Sequence, residues 1–163
     1  MGFVIRNNLN VWDYKEPCHW YRFDRKIKTF FRKIKWSWQR AKYGYCDMDL
    51  WSLDHTLGNY IASTVNELAN RTHGHPITTT EEKWDEILRT IAQDFYFGVN
   101  EDCWENEFER FLTYETTYDK MDPDEKANWD KWFKREAQTA DIMAEHLQRG
   151  FDNLIEWYPH LWD

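Results

Sequence analysis

Glycine, proline and cysteine are scarce in this chain, which has 6 Gly, 4 Pro and 3 Cys among its 163 residues. Three cysteines that lie far apart do not form a disulfide framework, and they indicate a reducing compartment. No apolar run approaches the roughly 18 residues that cross a membrane, and the amino terminus lacks the long apolar stretch of a signal peptide. We therefore predict a cytoplasmic protein that has no membrane partner.

Sequence motifs of catalysis are also missing. There is no Gly-x-Ser-x-Gly turn, no glycine-rich phosphate loop and no His-Glu-x-x-His zinc motif. His73 and His75 flank Gly74, and Cys18-His19 would complete four metal ligands, but the usual zinc spacings are not present. We predict a protein that is not an enzyme, with no catalytic residue, no metal and no cofactor.

Charge is divided unevenly along the chain, whose net charge is −8. Residues 1–46 contain 11 Lys and Arg against 3 Asp and Glu, which leaves a balance of +8. Residues 47–163 contain 10 Lys and Arg against 26 Asp and Glu, which leaves −16. A basic segment before an acidic body is typical of proteins that work by interaction rather than by reaction.

Aromatic residues are abundant, with 11 Trp, 9 Tyr and 10 Phe. Because each ring buries a large apolar area with few rotatable bonds, a hydrophilic chain of this length can still fold around a few of them. The centre of a small domain does not hold every Trp, and exposed rings are typical of binding surfaces. We predict that Trp157 and Trp162, near the carboxyl terminus, are exposed binding residues, with the alternative that this segment folds back on the domain as an anchor.

Apolar residues recur at steps of three and four along most of the chain, which is the pattern of amphipathic helices. We predict an all-α fold, a single-domain bundle of about five helices over residues 1–163, with an irregular arm at residues 1–18. A basic amphipathic helix over residues 20–43 precedes an acidic helical body over residues 47–163. Asp122-Pro123 is expected to start the last helix.

Polar residues mark the other helices of the acidic body. Asp47 or Asp49 is expected to cap the second helix, because carboxylates are favourable at its positive end. Thr79 and Glu82 have the spacing of a capping box for the third helix. A fourth helix is predicted from about Glu101 to Tyr118.

The basic helix has an apolar stripe at helical spacing, formed by Phe23, Ile27, Phe30, Ile34, Trp38 and Ala41. Three arrangements stay open. The stripe packs into the domain while the charges stay in water, or the helix lies against the acidic body, or it binds an acidic partner or a phosphate ligand. The predicted binding surface combines cations with part-exposed aromatic rings: Arg25, Lys28, Arg32, Lys35, Trp36 and Tyr43.

Carboxylates one helical turn apart offer a different site. Facing pairs of this kind hold Mg²⁺ in all-α nucleotide pyrophosphohydrolases. The candidate ligands here are Glu82, Asp85, Glu105 and Glu109. A second Glu-x-x-Glu element is missing, so a solvated acidic face is the favoured interpretation. Capture of a small nucleotide, with or without hydrolysis, stays open as an alternative function.

Three short motifs resemble those of small acidic proteins encoded by bacteriophages. They are Gly-Tyr-x-Asp-x-Asp-x-Trp at residues 44–51, Gly-x-Pro at residues 74–76 and Trp-x-x-Ile-Leu at residues 84–88, with Leu161-Trp162-Asp163 at the end. The resemblance covers roughly residues 38–98 and the tail. It brings no assigned activity and no functional residues. It implies a context, the cytoplasm of an infected bacterium.

We predict an interaction protein that binds and inhibits or redirects a bacterial host or defence factor. It would act through the basic and aromatic surface, or through an acidic face that mimics nucleic acid. Long nucleic acid is not an expected partner, because the acidic body repels a polyanion. A phage structural or assembly protein, which would form a homo-oligomer, is the second alternative.

Overall fold

The computed structural model describes residues 23–72, 74–109 and 118–161. Over these ranges the all-α class is confirmed, since the chain forms helices and turns without any strand. The α-helices are α1 (Phe23–Tyr43), α2 (Leu53–Arg71), α3 (Glu81–Val99) and α4 (Pro123–Trp157). Short 3₁₀ turns lie at Glu101–Cys103, Tyr118–Lys120 and Tyr158–His160. The arm predicted at residues 1–18 lies outside the described residues.

The predicted count of about five helices is too high for the described residues, because residues 101–109 do not form an α-helix. This stretch has five carboxylates and no Lys or Arg, so a helix would place like charges one turn apart. The Asn106 side chain also accepts the backbone N–H of Phe108 at 3.1 Å, which competes with helical hydrogen bonding. Residues 110–117, in the remainder of the predicted helix, lie outside the described residues.

The start of α4 follows the prediction. Asp122 accepts the backbone N–H of Glu125 at 2.8 Å, and the Glu125 side chain accepts the N–H of Asp122 at 3.1 Å. Pro123 is the first helical residue, where no amide donor is required. At α3 the predicted cap is one residue early, since Thr80, not Thr79, accepts the N–H of Lys83.

The core lies on α3, which packs against α2 on one side and α4 on the other. Trp84, Leu88, Ile91 and Phe95, which recur at helical spacing on α3, are buried. The remaining buried members of this cluster are Ala62, Val65, Ala92 and Tyr96. Helices α2, α3 and α4 therefore form a three-helix unit with α3 at its centre.

Glycine brings α3 and α4 close together. A Cβ added at Gly98 would lie 2.6 Å from Leu147 Cγ, and one at Gly150 would lie 3.3 Å from the ring of Phe95. Because both positions lack a side chain, the two backbones approach closely enough to bury an ionic cluster between them. Asp94 is 2% exposed and accepts hydrogen bonds from Arg149 Nε and His146 Nδ1, each at 2.8 Å.

Helix α1 does not join this unit. The helix pairs that pack are α2 with α3 and α3 with α4, and α1 forms no comparable pair within the described part of the chain. Packing of the α1 stripe into the domain is therefore wrong for the described residues: Ile27 is 45% exposed and Ile34 is 44% exposed. None of the described helices combines the length and apolarity needed to cross a membrane.

Candidate interaction surface

Helix α1 is held at its carboxyl-terminal end by the turn that follows it. Arg40 donates to Asp49 through both Nε, at 2.9 Å, and Nη2. Asp49 is 4% exposed and also accepts the backbone N–H of Cys46 at 2.8 Å. Burial raises the pKa of Asp49, but the hydrogen bonds from Arg40 and Cys46 outweigh it, and the net pKa lies below the ordinary value. The carboxylate is therefore charged and bound at neutral pH.

A second carboxylate extends this contact at the surface. Asp47 accepts hydrogen bonds from Lys35 Nζ at 2.7 Å and from Gln39 Nε2 at 2.8 Å. Both hydrogen bonds lower the pKa of Asp47. We call these five residues, Lys35, Gln39, Arg40, Asp47 and Asp49, the clasp. The expectation that Asp47 or Asp49 caps α2 is wrong, since α2 begins at Leu53 and both carboxylates bind α1.

The turn covers the face of α1 opposite to the apolar stripe. Trp36 is 8% exposed and packs with Cys46, which is 1% exposed. Each residue turns an α-helix by about 100°, so Trp36 lies about 200° from Ile34 and about 180° from Ile27. The clasp and the Trp36 contact thus fix α1 by one side and leave the stripe turned away from it.

Two faces of α1 are accessible to a partner. The stripe is solvent-exposed at Ile27, Phe30, Ile34 and Trp38, where the exposed fraction of each residue is between 44% and 56%. Lys28, Arg32 and Lys35 are exposed along an adjacent face, about 60° to 140° from the centre of the stripe. An apolar strip beside a row of cations is a surface that suits an acidic protein partner.

Aromatic rings and a lysine cluster at the end of α1. Trp38 and Tyr43 meet edge to face with ring centroids 5.9 Å apart. Lys42 Nζ lies 4.8 Å from the Trp38 ring centroid and 4.9 Å from that of Tyr43. Tyr43 is 53% exposed, so these rings add an exposed aromatic surface at the end of the basic face.

The structure brings some of the predicted site residues together and separates others. Lys28, Arg32 and Lys35 lie on one face of α1, and Tyr43 lies exposed at its end. Trp36 does not belong to this surface, because the turn after α1 buries it. Trp157 is half-buried, with its ring centroid 5.6 Å from that of core Trp84, as in the alternative in which the carboxyl-terminal segment folds back as an anchor. The side chains of Arg25 and Trp162 lie outside the described part.

The clasp carboxylates are the functional residues that sequence reasoning misplaced. The available signal was the change of charge sign between Tyr43 and Asp47, directly after a basic helix. Acidic residues that follow a turn can fold back onto a basic helix as readily as they cap the next one. The sequence pattern does not distinguish these two outcomes, because in either one the carboxylates accept hydrogen bonds from donors nearby in the chain.

The described residues do not bring together a metal site. Of the side chains that the structure describes, no three His, Cys, Asp or Glu converge in a way that could hold a metal ion. The carboxylates proposed for Mg²⁺, Glu82, Asp85, Glu105 and Glu109, form no such group. Cys18, His19 and His73 lie outside the described residues. The described residues therefore offer no set of metal ligands for the nucleotide-hydrolysing alternative.

A groove of about 890 Å³ crosses the three-helix unit. Its floor is apolar and includes Phe95, Val99 and Leu147, and α2 and α4 form its two walls. Leu57 on the α2 wall is 49% exposed, and Phe151 on the α4 wall is 41% exposed. The charged residues of its lining are all acidic: Asp54, Glu101 and Asp102.

A second cavity, of about 820 Å³, has a strongly acidic lining. Six carboxylates line it together with two indole rings: Glu101, Asp102, Glu105, Glu107, Glu109, Glu136, Trp104 and Trp132. Among the described surfaces, this cavity best fits the acidic face that was considered for nucleic-acid mimicry.

Comparison of the chain with protein-family models, with curated proteins and with solved structures finds no match, so the phage resemblance stays a prediction.

The clasp can be tested through the thiol that it covers. Burial raises the pKa of the Cys46 thiol, and the residue is 1% exposed, so alkylation at pH 8 should be slow. We expect Asp49→Asn to increase the alkylation rate of Cys46 at least about 10-fold, because the turn opens more often. Peptide mass spectrometry reads each cysteine separately. Cys103, half-buried in the body, is the internal control and should not change.

The same variant has a predicted dependence on pH. Because folding lowers the pKa of Asp49, its contribution to stability is fully present above the unfolded pKa, about 4, and is lost as the pH falls through the lower pKa of the folded state. The difference in unfolding free energy between the wild type and Asp49→Asn should therefore shrink as the pH is lowered from about 5 to well below about 4. A difference that stays constant over this range would contradict the clasp.

Proposed function

We propose that this protein is a non-enzymatic interaction protein that binds an acidic surface of a bacterial host or defence protein. The basic face of α1, with the ring pair at its end, is the recognition element. One observation carries the proposal: Lys28, Arg32 and Lys35 lie exposed on one face of a helix that stands apart from the three-helix unit.

The physical chemistry of this surface supports protein binding. Arginine and aromatic side chains are the groups that most often contribute strongly to interface affinity, and a row of cations speeds the encounter with an acidic partner. The clasp adds preorganisation, since it orders the carboxyl-terminal half of α1 before any partner arrives. The acidic body keeps polyanions at a distance, which favours a protein over long nucleic acid.

The experiment is affinity capture from bacterial lysate at low salt, with the wild type and a variant neutralised on the basic face. In Lys28→Gln, Arg32→Gln we expect partner recovery to fall at least about 10-fold, because steering charges and an Arg contact are lost. Lys35 is left unchanged, since its hydrogen bond to Asp47 belongs to the clasp. The matched control is Lys131→Gln, Lys134→Gln, which changes the net charge equally on exposed residues of α4. This control should recover the same partner at the wild-type level.

Mass spectrometry of the eluates identifies both proteins and small molecules. A partner that is retained equally by both double variants would show that the basic face is irrelevant. Elution of a nucleotide from the wild type, without any specific protein, would favour the alternative of nucleotide capture instead.

A further inference from the structure

The groove of the three-helix unit has the form of a helix-binding site. Helices α2 and α4 both pack on α3 without a comparable interface between them, so α3 is covered from two sides and open along the groove. Apolar side chains on both walls, Leu53 and Leu57 on α2 and Phe151 on α4, are between 41% and 56% exposed. One further amphipathic helix laid along this groove would complete a four-helix arrangement.

The stripe of α1 matches this groove in length and chemistry. The groove is lined from Leu53 to Gly58 on α2 and from Met143 to Phe151 on α4, so at 1.5 Å per residue its longer wall spans about 12 Å. Ile27 and Ile34 lie about 10 Å apart along α1, and with Phe30 they would supply the apolar side chains that the groove lacks. Both surfaces are exposed within one copy, and burying each against the other removes both from water.

Charge is complementary across the same contact. Helix α1 has eight Lys and Arg and one acidic residue, Asp24. The groove lining has Asp54, Glu101 and Asp102 and no Lys or Arg. Lys28 and Lys35 flank one side of the stripe, so cations would border the buried apolar strip.

The clasp determines which copy supplies the helix. It holds α1 by the face opposite to the stripe, and α1 does not pack on the α2, α3 and α4 of its own chain. We propose that α1 of one copy lies in the groove of a second copy, and that the second copy returns the same contact. This exchange forms a two-fold symmetric dimer with both clasps intact.

This proposal goes beyond the proposed function and centres on other residues, those of the stripe and the groove walls; the two share the cations Lys28 and Lys35 beside the stripe. The dimer buries the stripe and the groove, whereas partner recognition uses the outer basic face and the rings at the end of α1. A monomeric protein could still capture its partner, and a dimer could form without one. The variants below therefore leave Lys28, Arg32 and Lys35 unchanged.

The test is the mass of the full chain in solution, measured by light scattering on a size-exclusion column from about 1 µM to about 500 µM. We expect a species of twice the 20.1 kDa chain mass. Ile34→Asp on the stripe and Leu57→Asp on the groove wall should each weaken the dimer at least about 10-fold, because a carboxylate would be buried in an apolar contact. Ile77→Asp is the matched control, since Ile77 is 100% exposed away from both surfaces.

Two further measurements keep the result decisive. Circular dichroism checks that each variant is folded, and Asp54→Lys, at an exposed site on the groove wall, weakens the dimer through charge if Leu57→Asp does not fold. A wild-type chain that stays monomeric over the whole range overturns the proposal. So does a dimer that only Ile34→Asp disrupts, which would indicate pairing of α1 with α1, or one that neither Ile34→Asp nor Leu57→Asp weakens.

Discussion

Replacement of Phe95 by alanine is expected to lower the free energy of unfolding by about 3–5 kcal/mol. The side chain is fully buried at the centre of α3, where it belongs to the core cluster and to the floor of the groove. Its ring meets that of Phe151 edge to face, with centroids 4.9 Å apart. The close approach of Gly150 leaves little freedom for α4 to move into the space that the ring vacates, so a cavity should remain.

Chemical denaturation followed by circular dichroism measures this loss. Phe133→Ala removes the same ring from α4 at a position that is 55% exposed, where the ring centroid lies 5.0 Å from that of Trp132. That control should cost about 1 kcal/mol or less. Similar losses for both variants would show that α2, α3 and α4 do not share the core described above.

Replacement of Asp94 by asparagine is expected to cost about 2–3 kcal/mol, the second largest effect. Asp94 is 2% exposed and is the acceptor for both Arg149 and His146, which join α4 to α3. An asparagine of the same shape would present an amide to the guanidinium and remove the negative charge. The Arg149 side chain is 55% exposed, so water reaches it and the loss is smaller than for a fully buried pair.

An exposed ion pair on the same helix provides the comparison. Asp85 and Arg89 form a bridge of 2.8 Å one turn apart on α3, with side chains 44% and 42% exposed. Asp85→Asn should cost only about 0.3–0.5 kcal/mol, and less at high salt. If the two substitutions cost the same, the Asp94 cluster does not hold α4 to α3. Thermal unfolding at low and high salt separates these outcomes.

Local patterns predicted much of the fold. The start of α4 at Asp122 was predictable because a capping box and a proline act within four residues of one another. The buried face of α3 was predictable because Trp84, Leu88, Ile91 and Phe95 repeat at helical spacing. The stretch of residues 101–109 was not, since its apolar spacing suits a helix while its like charges and Asn106 oppose one.

The candidate surface was only partly predictable, and Trp36 shows why. Helical spacing correctly separates Trp36 from the stripe, but it does not show that the turn after α1 folds over that side and buries the ring. The reverse holds for Ile34, whose spacing predicts burial although the structure leaves it 44% exposed. In both cases the burial of the side chain depends on whether another segment of the chain covers it, and helical spacing does not contain that information.

The amino-acid order alone determined the helical class, the amphipathic character of α1 and the division between a basic segment and an acidic body. Those properties depend on neighbours within about one helical turn, where backbone geometry sets the spacing. Only the folded arrangement decided that Asp49 binds Arg40, that Trp36 is covered and that the stripe of α1 faces outward. Such contacts depend on the direction that the chain takes after Tyr43, which is selected by the hydrogen bonds to Asp49 and by the packing of Trp36 on Cys46.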